Sequence, residues 1–180
     1  MPLEPRPRIQ KIAHATHGAL DYAELEKMGV SPDEILDFST NTNPFGASSA
    51  VKAAILQTPF EQYPDRDSLA LRRALASRLN ISTEQILPGN GSAELLWFAA
   101  FAYLQPGDQV LLIAPTFGEY ARVSRMMGAA VRYYHADAGH NFTVDPQAVA
   151  QLLQDNQYRM VFLCNPNNPS GQSLPREVIS

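Results

Sequence analysis

Between residues 91 and 164 the sequence alternates three times between a segment of helical length and a short, largely apolar segment. In chain order these segments are Gly91 to Tyr103, Gln109 to Ala114, Gly118 to Met127, Val131 to His135, Pro146 to Gln154 and Tyr158 to Cys164. Apolar strands separated by helices are typical of parallel sheets that are covered on both faces. The sequence therefore predicts an α/β fold, with a mainly parallel sheet flanked by helices and preceded by an amino-terminal arm.

Composition excludes several classes of protein. The chain has 180 residues, of which 45% are apolar and 18% charged, so it can fill a core. A net charge of −4, without a cluster of Lys or Arg, argues against nucleic-acid partners. The longest apolar run, Leu95 to Leu104, is far shorter than the roughly 20 residues of a membrane helix. With no secretory h-region at the amino terminus either, we expect a cytoplasmic protein without a membrane partner.

The cysteine and histidine content predicts no metal site. Cys164 is the single cysteine, so neither an internal disulfide nor a structural zinc site of thiolates can form, and we interpret it as a buried small hydrophobe. The histidines lack the i, i+4 spacing of a helical metal pair. They are His14, His17, His135 and His140.

The residues around these segments predict further local structure. Asp67 or Ser68 can cap a helix that carries Leu71, and Leu87 forms a short strand. The prolines of the first eight residues predict an extended arm. The last residues, Pro175 to Ser180, begin like a helix and stop after one turn, so we expect a truncated chain.

The loop Pro88–Glu94 leads into the first long helix and has the composition of an anion site. Its two glycines allow close backbone approach, and the amide groups of Gly91, Ser92 and Ala93 would point outward at the helix amino terminus. The Ser92 hydroxyl adds a donor, so a phosphate could be held there. An ordinary helix cap is the structural alternative.

Two later loops also follow predicted strands, where ligands of parallel sheets bind. Phe117, in Ala114–Tyr120, could lie flat against a planar ring held by the first loop, or it could belong to the core. The loop Asn165–Gly171 has three amide side chains and two prolines, and the prolines fix the turn so that an amide is aimed with little entropic loss. We interpret this loop as functional.

Taken together, Gly-Asn-Gly-Ser-Ala, Pro-Thr-Phe-Gly and Asn-Asn-Pro-Ser-Gly resemble, in order and spacing, the motifs of the fold-type I aminotransferase superfamily. The resemblance covers nearly the whole chain and implies pyridoxal 5'-phosphate as cofactor. It implies phosphate contacts from Gly91, Ser92 and Ala93, ring stacking by Phe117, and a contact of Asn168 with the ring hydroxyl oxygen. It also implies a division into residues 1–46, an arm with a substrate-contacting segment, and residues 47–180, an incomplete cofactor-binding domain.

Tyr63, in Gln-Tyr-Pro-Asp, matches the tyrosine that in this superfamily reaches the cofactor phosphate of the neighbouring subunit. The resemblance therefore implies a homodimer with shared active sites. From the sequence alone, Tyr63 would be a half-buried aromatic residue in a loop.

Within the superfamily, the segment from His17 to Gly46 is most similar to the threonine-phosphate decarboxylases of the cobalamin pathway, and less closely to the histidinol-phosphate aminotransferases. This resemblance implies a phosphorylated amino acid as substrate. The implied substrate contacts are His17, Gly18, Asn41 and Asn168. The choice between decarboxylation and transamination rests on resemblance alone.

The chemistry of this superfamily also needs a Schiff-base lysine and an acid at the ring nitrogen. The resemblance puts both beyond the Asn-Asn-Pro-Ser-Gly motif, and Lys11, Lys27 and Lys52 match neither position. The 180-residue chain is therefore expected to be inactive by itself. Two other classes stay open, a phosphate-binding module without catalysis and a subunit with a purely structural role.

Overall fold

The computed structural model describes residues 3–13 and 18–179, which form two compact units. One unit comprises residues 3–13 and 88–179, and the other comprises residues 18–87. The division at residue 46 concerns the functional parts of an enzyme and stays a prediction.

The helices and strands are short and follow one another closely. The α-helices are α1 (Pro7–Gln10), α2 (Tyr22–Met28), α3 (Ser49–Leu56), α4 (Leu69–Leu79), α5 (Gly91–Tyr103), α6 (Gly118–Met127), α7 (Pro146–Asp155) and α8 (Arg176–Ile179). The strands are β1 (Gln109–Ala114), β2 (Ala130–His135) and β3 (Met160–Phe162). Turns of 3₁₀ helix lie at Pro32–Glu34, Thr83–Gln85 and Ala138–His140.

In the unit of residues 18–87, side-chain oxygens cap the amino termini of helices α2 and α3. The carboxylate of Asp21 accepts the backbone N–H groups of Ala23 and Glu24 at the start of α2. The hydroxyl of Ser48 accepts the backbone N–H of Val51 at the start of α3. Each bond satisfies a first-turn donor that has no partner inside its own helix.

The start of α4 differs from the prediction that Asp67 or Ser68 caps it. The carboxylate of Asp65 instead accepts the backbone N–H groups of Asp67 and Leu69. Ser68 has a left-handed backbone with φ 47° and makes no capping bond. The predicted cap is wrong because Ser68 lacks the extended conformation from which a side chain normally reaches back to its helix.

In the other unit, β1 is the central strand of a parallel sheet with the order β2, β1, β3. Leu112 of β1 is opposite Tyr133 of β2 on one side and Phe162 of β3 on the other. The predicted parallel sheet of an α/β fold is confirmed.

Helices cover both faces of this sheet. On one face, residues of α5, β1 and α6 form the core together with residues next to them in space. Its buried members are Ala100, Leu104, Val110, Leu112, Val123, Ala129 and Phe162. On the other face, Ile113, Val161 and Leu163 line an apolar groove with α7 and α8. Burial of one large apolar side chain contributes about 1.5–3 kcal/mol, so the buried residues of β1, Val110 to Ala114, stabilise this unit.

Three local expectations need correction. The predicted strand Tyr158–Cys164 is shorter, Met160–Phe162, because it pairs only with three residues of β1. Leu87 lies outside any strand, since no strand among the described residues pairs with it. The arm turns into helix α1 at Pro7, where the missing N–H of proline costs no helical hydrogen bond.

Helix α5 is apolar on both sides, but in this chain only one side is covered. Ala100 is fully buried against the sheet, whereas Phe98 and Phe101 are 54% and 78% exposed. The prediction of a helix between two layers is therefore met on the sheet side alone.

Candidate functional site

The loops that follow β1 and β3 leave the sheet at the same edge. The two strands are parallel and pair Leu112 with Phe162, so both chains reach this edge within a few residues. A hydrogen bond then joins the loops directly, because Nδ2 of Asn167 donates to the carbonyl oxygen of Pro115 over 2.9 Å. The second and third of the predicted loops are therefore in contact.

The amino terminus of helix α5 is directed to this edge of the sheet as well. Its carboxyl end is at the opposite edge, where the carbonyl oxygen of Tyr103 accepts Nε–H of Arg159, the residue before β3, over 3.0 Å. The 13 residues of α5 rise about 20 Å, and the six residues of β1 extend about 20 Å. Since α5 packs along β1 through Ala100 and Leu104, Gly91 lies near the level at which β1 ends. That the three loops contact one ligand stays a prediction.

The amino terminus of α5 presents backbone donors without a cap. Asn90 makes no side-chain capping bond, and its own backbone N–H donates to Oε2 of Glu94 over 2.7 Å. The backbone N–H groups of Ser92 and Ala93 have no hydrogen-bond partner among the described residues, and both residues are exposed. Gly91 has φ 77°, a left-handed conformation that only glycine adopts without strain. This helix start is suited to an anion.

Phe117, directly before α6, is half-buried and held by a second aromatic ring. The ring of Tyr120 meets it edge to face, with centroids 5.7 Å apart, and stacks on Phe162 at 4.8 Å. Burial, with a smaller contribution from the Cys164 thiol, raises the pKa of Tyr120 to about 12, so its phenol is neutral at physiological pH. Phe117 lies outside the buried core cluster, and part of the residue stays exposed.

The three amides of the loop after β3 have different surroundings. The side chain of Asn165 bonds twice to the backbone of Leu174, and that of Asn167 bonds to Pro115 and to Oγ of Ser170. The side chain of Asn168 is exposed and makes no hydrogen bond to the described residues. Of the three, Asn168 alone has an amide available to a ligand.

The backbone of Asn168 is also anchored. Its N–H donates to Sγ of Cys164 over 3.4 Å, and Sγ in turn donates to the carbonyl oxygen of Pro166. Cys164 is partly buried rather than fully buried as expected, and its two hydrogen bonds close the turn.

Buried polar groups near Phe117 were not predicted from the sequence. Glu119 is only 3% exposed and pairs with Nη1 of Arg122 at 3.1 Å, while the Arg122 guanidinium lies 5.7 Å from the centre of the Trp97 ring. The hydroxyl of Thr116 is buried without a hydrogen-bond partner among the described residues. A periodicity of four, which puts Glu119 on the same helix face as the buried Val123, was the signal that could have indicated this pair.

Three of the remaining predicted residues, Gly18, Asn41 and Tyr63, belong to the unit of residues 18–87. Gly18 touches Ser39 so closely that a Cβ atom on it would overlap the Ser39 carbonyl oxygen. This contact brings Gly18 to the segment that leads to Asn41. Asn41 and Tyr63 are exposed, and His17 lies outside the described residues. The roles of these residues stay predictions.

Asp37 holds the segment that leads to Asn41. Its carboxylate accepts the hydroxyl and the backbone N–H of Ser39, over 2.6 and 2.7 Å, and the hydroxyl of Thr40 over 2.8 Å. These bonds, that of the Ser39 hydroxyl foremost, hold the pKa of Asp37 below its usual range. The segment is thus organised around an ionised side chain.

The described residues include neither a metal-binding cluster nor a membrane-spanning helix. Among residues 3–13 and 18–179, no group of three or more His, Cys, Asp or Glu side chains is arranged to hold a metal ion. Within the same ranges, every helix is too short or too polar to traverse a lipid bilayer.

Comparison with known proteins gives a family match over most of the chain. The sequence profile of the family described as aminotransferase class I and II matches residues 33–180. A histidinol-phosphate aminotransferase of Leptospira interrogans is 32% identical over 154 residues, covering 84% of this chain and 40% of the relative. A threonine-phosphate decarboxylase of Salmonella typhimurium is also 32% identical, over 160 residues, covering 88% of this chain and 43% of the relative. The chain thus spans less than half the length of both relatives.

A solved structure gives the same fold. The histidinol-phosphate aminotransferase of Sinorhizobium meliloti, crystallised with pyridoxal-5'-phosphate, superimposes with a TM-score of 0.79 at 21% identity. The alignment covers 96% of this chain and 45% of that one. At this identity the likeness shows the fold.

Proposed function

The chain belongs to the aminotransferase class I and II family, and from this membership we propose that it forms the amino-terminal part of a pyridoxal-phosphate-dependent enzyme that acts on a phosphorylated amino acid. Pyridoxal 5'-phosphate is the cofactor of this family. The substrate and the reaction of the whole protein are what we propose.

The observation that carries the proposal is a set of three different groups suited to one ligand, on loops that lie toward one edge of the sheet. The uncapped start of α5 offers the N–H groups of Ser92 and Ala93. Phe117 offers an aromatic face, and Asn168 an exposed amide. The N–H donors match the phosphate of the cofactor, the aromatic face matches its ring, and the amide matches its ring oxygen.

Each residue has a distinct task in this proposal. The Ser92 hydroxyl and the backbone N–H groups of Ser92 and Ala93 donate hydrogen bonds to the phosphate, Phe117 fixes the plane of the ring, and Asn168 fixes its rotation within that plane. The cofactor, when bound, supplies an acceptor for the electron pair of a bond broken at the substrate α-carbon. The protein selects that bond by holding the substrate at a defined angle to the ring.

The substrate contacts are proposed for His17, Gly18 and Asn41. The close approach of Gly18 to Ser39 supports a common location for Gly18 and the Asn41 segment. Because the chain's relatives include enzymes named for threonine phosphate and for histidinol phosphate, a phosphate-bearing substrate is the shared feature. We favour decarboxylation of O-phospho-L-threonine to aminopropanol phosphate and carbon dioxide, on the resemblance of residues 17–46.

Tyr63 supports a proposed homodimer. Its side chain is fully exposed, which suits a group that contacts the cofactor phosphate of a second subunit. A cytoplasmic location stays a prediction from the sequence.

A binding experiment with this chain tests the cofactor site. The probe is 4'-deoxypyridoxine 5'-phosphate, which keeps the ring and the phosphate but has no aldehyde to react with Lys11, Lys27 or Lys52. We expect the chain to bind it more tightly than inorganic phosphate, and Phe117→Ala to remove most of the difference. Equal binding of both ligands would identify a phosphate-binding module instead, and no binding of either would leave a structural role.

A second experiment separates the two reactions in the full-length protein. Incubated with O-phospho-L-threonine, it should release carbon dioxide. Transfer of the amino group of histidinol phosphate to a 2-oxo acid, without release of carbon dioxide, would instead identify the aminotransferase.

A further inference from the structure

Asn167 connects two loops that are far apart in sequence. Its Nδ2 group donates to the carbonyl oxygen of Pro115 over 2.9 Å and to Oγ of Ser170 over 2.7 Å. Its backbone N–H and carbonyl oxygen bond to Gln172 and Gly171 within the same loop, at 2.7 Å each. The side chain is partly buried and lines a cavity of about 50 Å³ together with Pro115. Asn167 is therefore fixed on its own loop and joined to the other.

The two ends of this connection lie next to the proposed ring contacts. Pro115 precedes Phe117 by two residues, and Asn167 directly precedes Asn168. A shift of either loop along the sheet edge would break the bond between Asn167 and Pro115. The bond thus limits the distance between the ring of Phe117 and the amide of Asn168, although Asn167 needs no ligand contact to do so.

We infer that Asn167 is a positioning residue, which keeps Phe117 and Asn168 in the relative arrangement that one planar, phosphorylated ring requires. This inference rests on the proposed function. A cofactor site needs its contacts held within a fraction of an ångström, and residues behind the contacts commonly provide this.

The test compares two ligands on the same protein. The ring of 4'-deoxypyridoxine 5'-phosphate uses Phe117 and Asn168, whereas inorganic phosphate uses only the start of α5. Asn167→Ala removes the bonds to Pro115 and to Ser170, of which only the first joins the two loops. We expect it to weaken binding of the ring ligand by about threefold to tenfold, the range that loss of the bond to Pro115 gives, and to leave phosphate binding unchanged. Asn167→Asp keeps the size of the side chain but turns an acceptor toward the Pro115 carbonyl oxygen, so it should weaken ring binding at least as much.

Asn165→Ala is the matched control. It removes an amide from the same loop, together with two hydrogen bonds of 3.1 and 2.8 Å, but both lead to Leu174 and neither reaches Pro115. We expect this variant to bind both ligands nearly as the wild type does. Thermal unfolding of all variants gives the stability that each substitution removes.

The outcomes separate the inference from the proposed function. If the wild type binds the ring ligand and Asn167→Ala binds it equally well, the positioning role is wrong and the proposed function stands. Equal losses in Asn165→Ala and Asn167→Ala, or a parallel loss of phosphate binding, would show a general effect on folding and also overturn the role. If the wild type binds no ring ligand, the proposed function fails and the inference fails with it.

Discussion

Gly18 and Ser39 are in direct backbone contact, and the space between them admits no side chain at position 18. The contact joins a residue of the predicted His-Gly pair to the segment that carries Asn41. Glycine is thus required here by close approach, whatever the ligand.

Gly18→Ala should displace the segment from Asp37 to Asn41. Its Cβ would overlap a backbone atom that cannot rotate away, so we expect a loss of about 1–3 kcal/mol in the free energy of unfolding. The measurement is urea denaturation, with the amide chemical shifts of Ser39 and Thr40 as the local readout. Gly29→Ala is the control for the chemical shifts. Its left-handed φ of 68° makes this substitution costly in stability as well, but a Cβ there meets nothing within 4 Å, so the shifts of Ser39 and Thr40 should stay in place. Unchanged shifts in Gly18→Ala would contradict the contact.

Asp37 should titrate below its ordinary pKa of 3.8, because Ser39 and Thr40 donate to its ionised form. A lowered pKa means that the stabilisation is present above pH 3.8 and is lost as the pH falls through the lower value. The titration is followed by the ¹³C shift of the side-chain carboxyl. Thr40→Val removes one donor and should move the midpoint upward, whereas Thr58→Val, whose hydroxyl bonds to Ala54, should not.

Tyr120 should make the folded chain sensitive to alkaline pH. Its pKa of about 12 exceeds the ordinary value of 10.0, so the neutral phenol stabilises the fold fully below pH 10 and progressively less between pH 10 and 12. Urea denaturation across this range should show a steeper loss of stability in the wild type than in Tyr120→Phe, which keeps the ring contacts but has no phenol to ionise. Parallel curves would refute the shift.

Arg122→Ala should lower the free energy of unfolding more than the partly exposed position of Arg122 suggests. Arg122 is partly exposed, but its partner Glu119 is buried, so the substitution leaves a desolvated carboxylate without its guanidinium and removes the contact with Trp97. We expect a loss of about 2 kcal/mol in unfolding free energy. Arg125→Ala, on the same helix and with one exposed bond to Tyr133, should cost about 0.5 kcal/mol. Similar losses in both variants would show that the buried pair is unimportant.

The elements around the sheet could be predicted because their ends are marked in the sequence. The bounds predicted for α5, β1 and α6 agree with the structure residue by residue. Gly91 and Gly118 mark two helix starts, and apolar runs between them fix the strand. Where the ends lack such residues, as at β3, the length depends on how far the neighbouring strand pairs.

The site could be predicted only as a set of loops. The sequence indicated that the amides of Asn165–Gly171 matter, and the resemblance assigned the ligand contact to Asn168. In the part of the chain that the structure describes, the side chain of Asn168 has no hydrogen-bond partner, and its ligand contact stays a prediction; the structural use of Asn165 and Asn167 follows from where their side chains point. Three amides in one loop have the same chemistry, so their sequence positions alone do not distinguish these uses.

The sequence by itself determined the α/β class, the parallel sheet and the family, because apolar periodicity and short motifs are local properties of the chain. Only the tertiary structure decided that Asn167 meets Pro115, that Glu119 is buried against Arg122, and that Gly18 touches Ser39. These contacts join residues on different elements or turn a polar side chain inward, and their energy depends on distance in space. That distance is set when the helices pack on the sheet and the loops close.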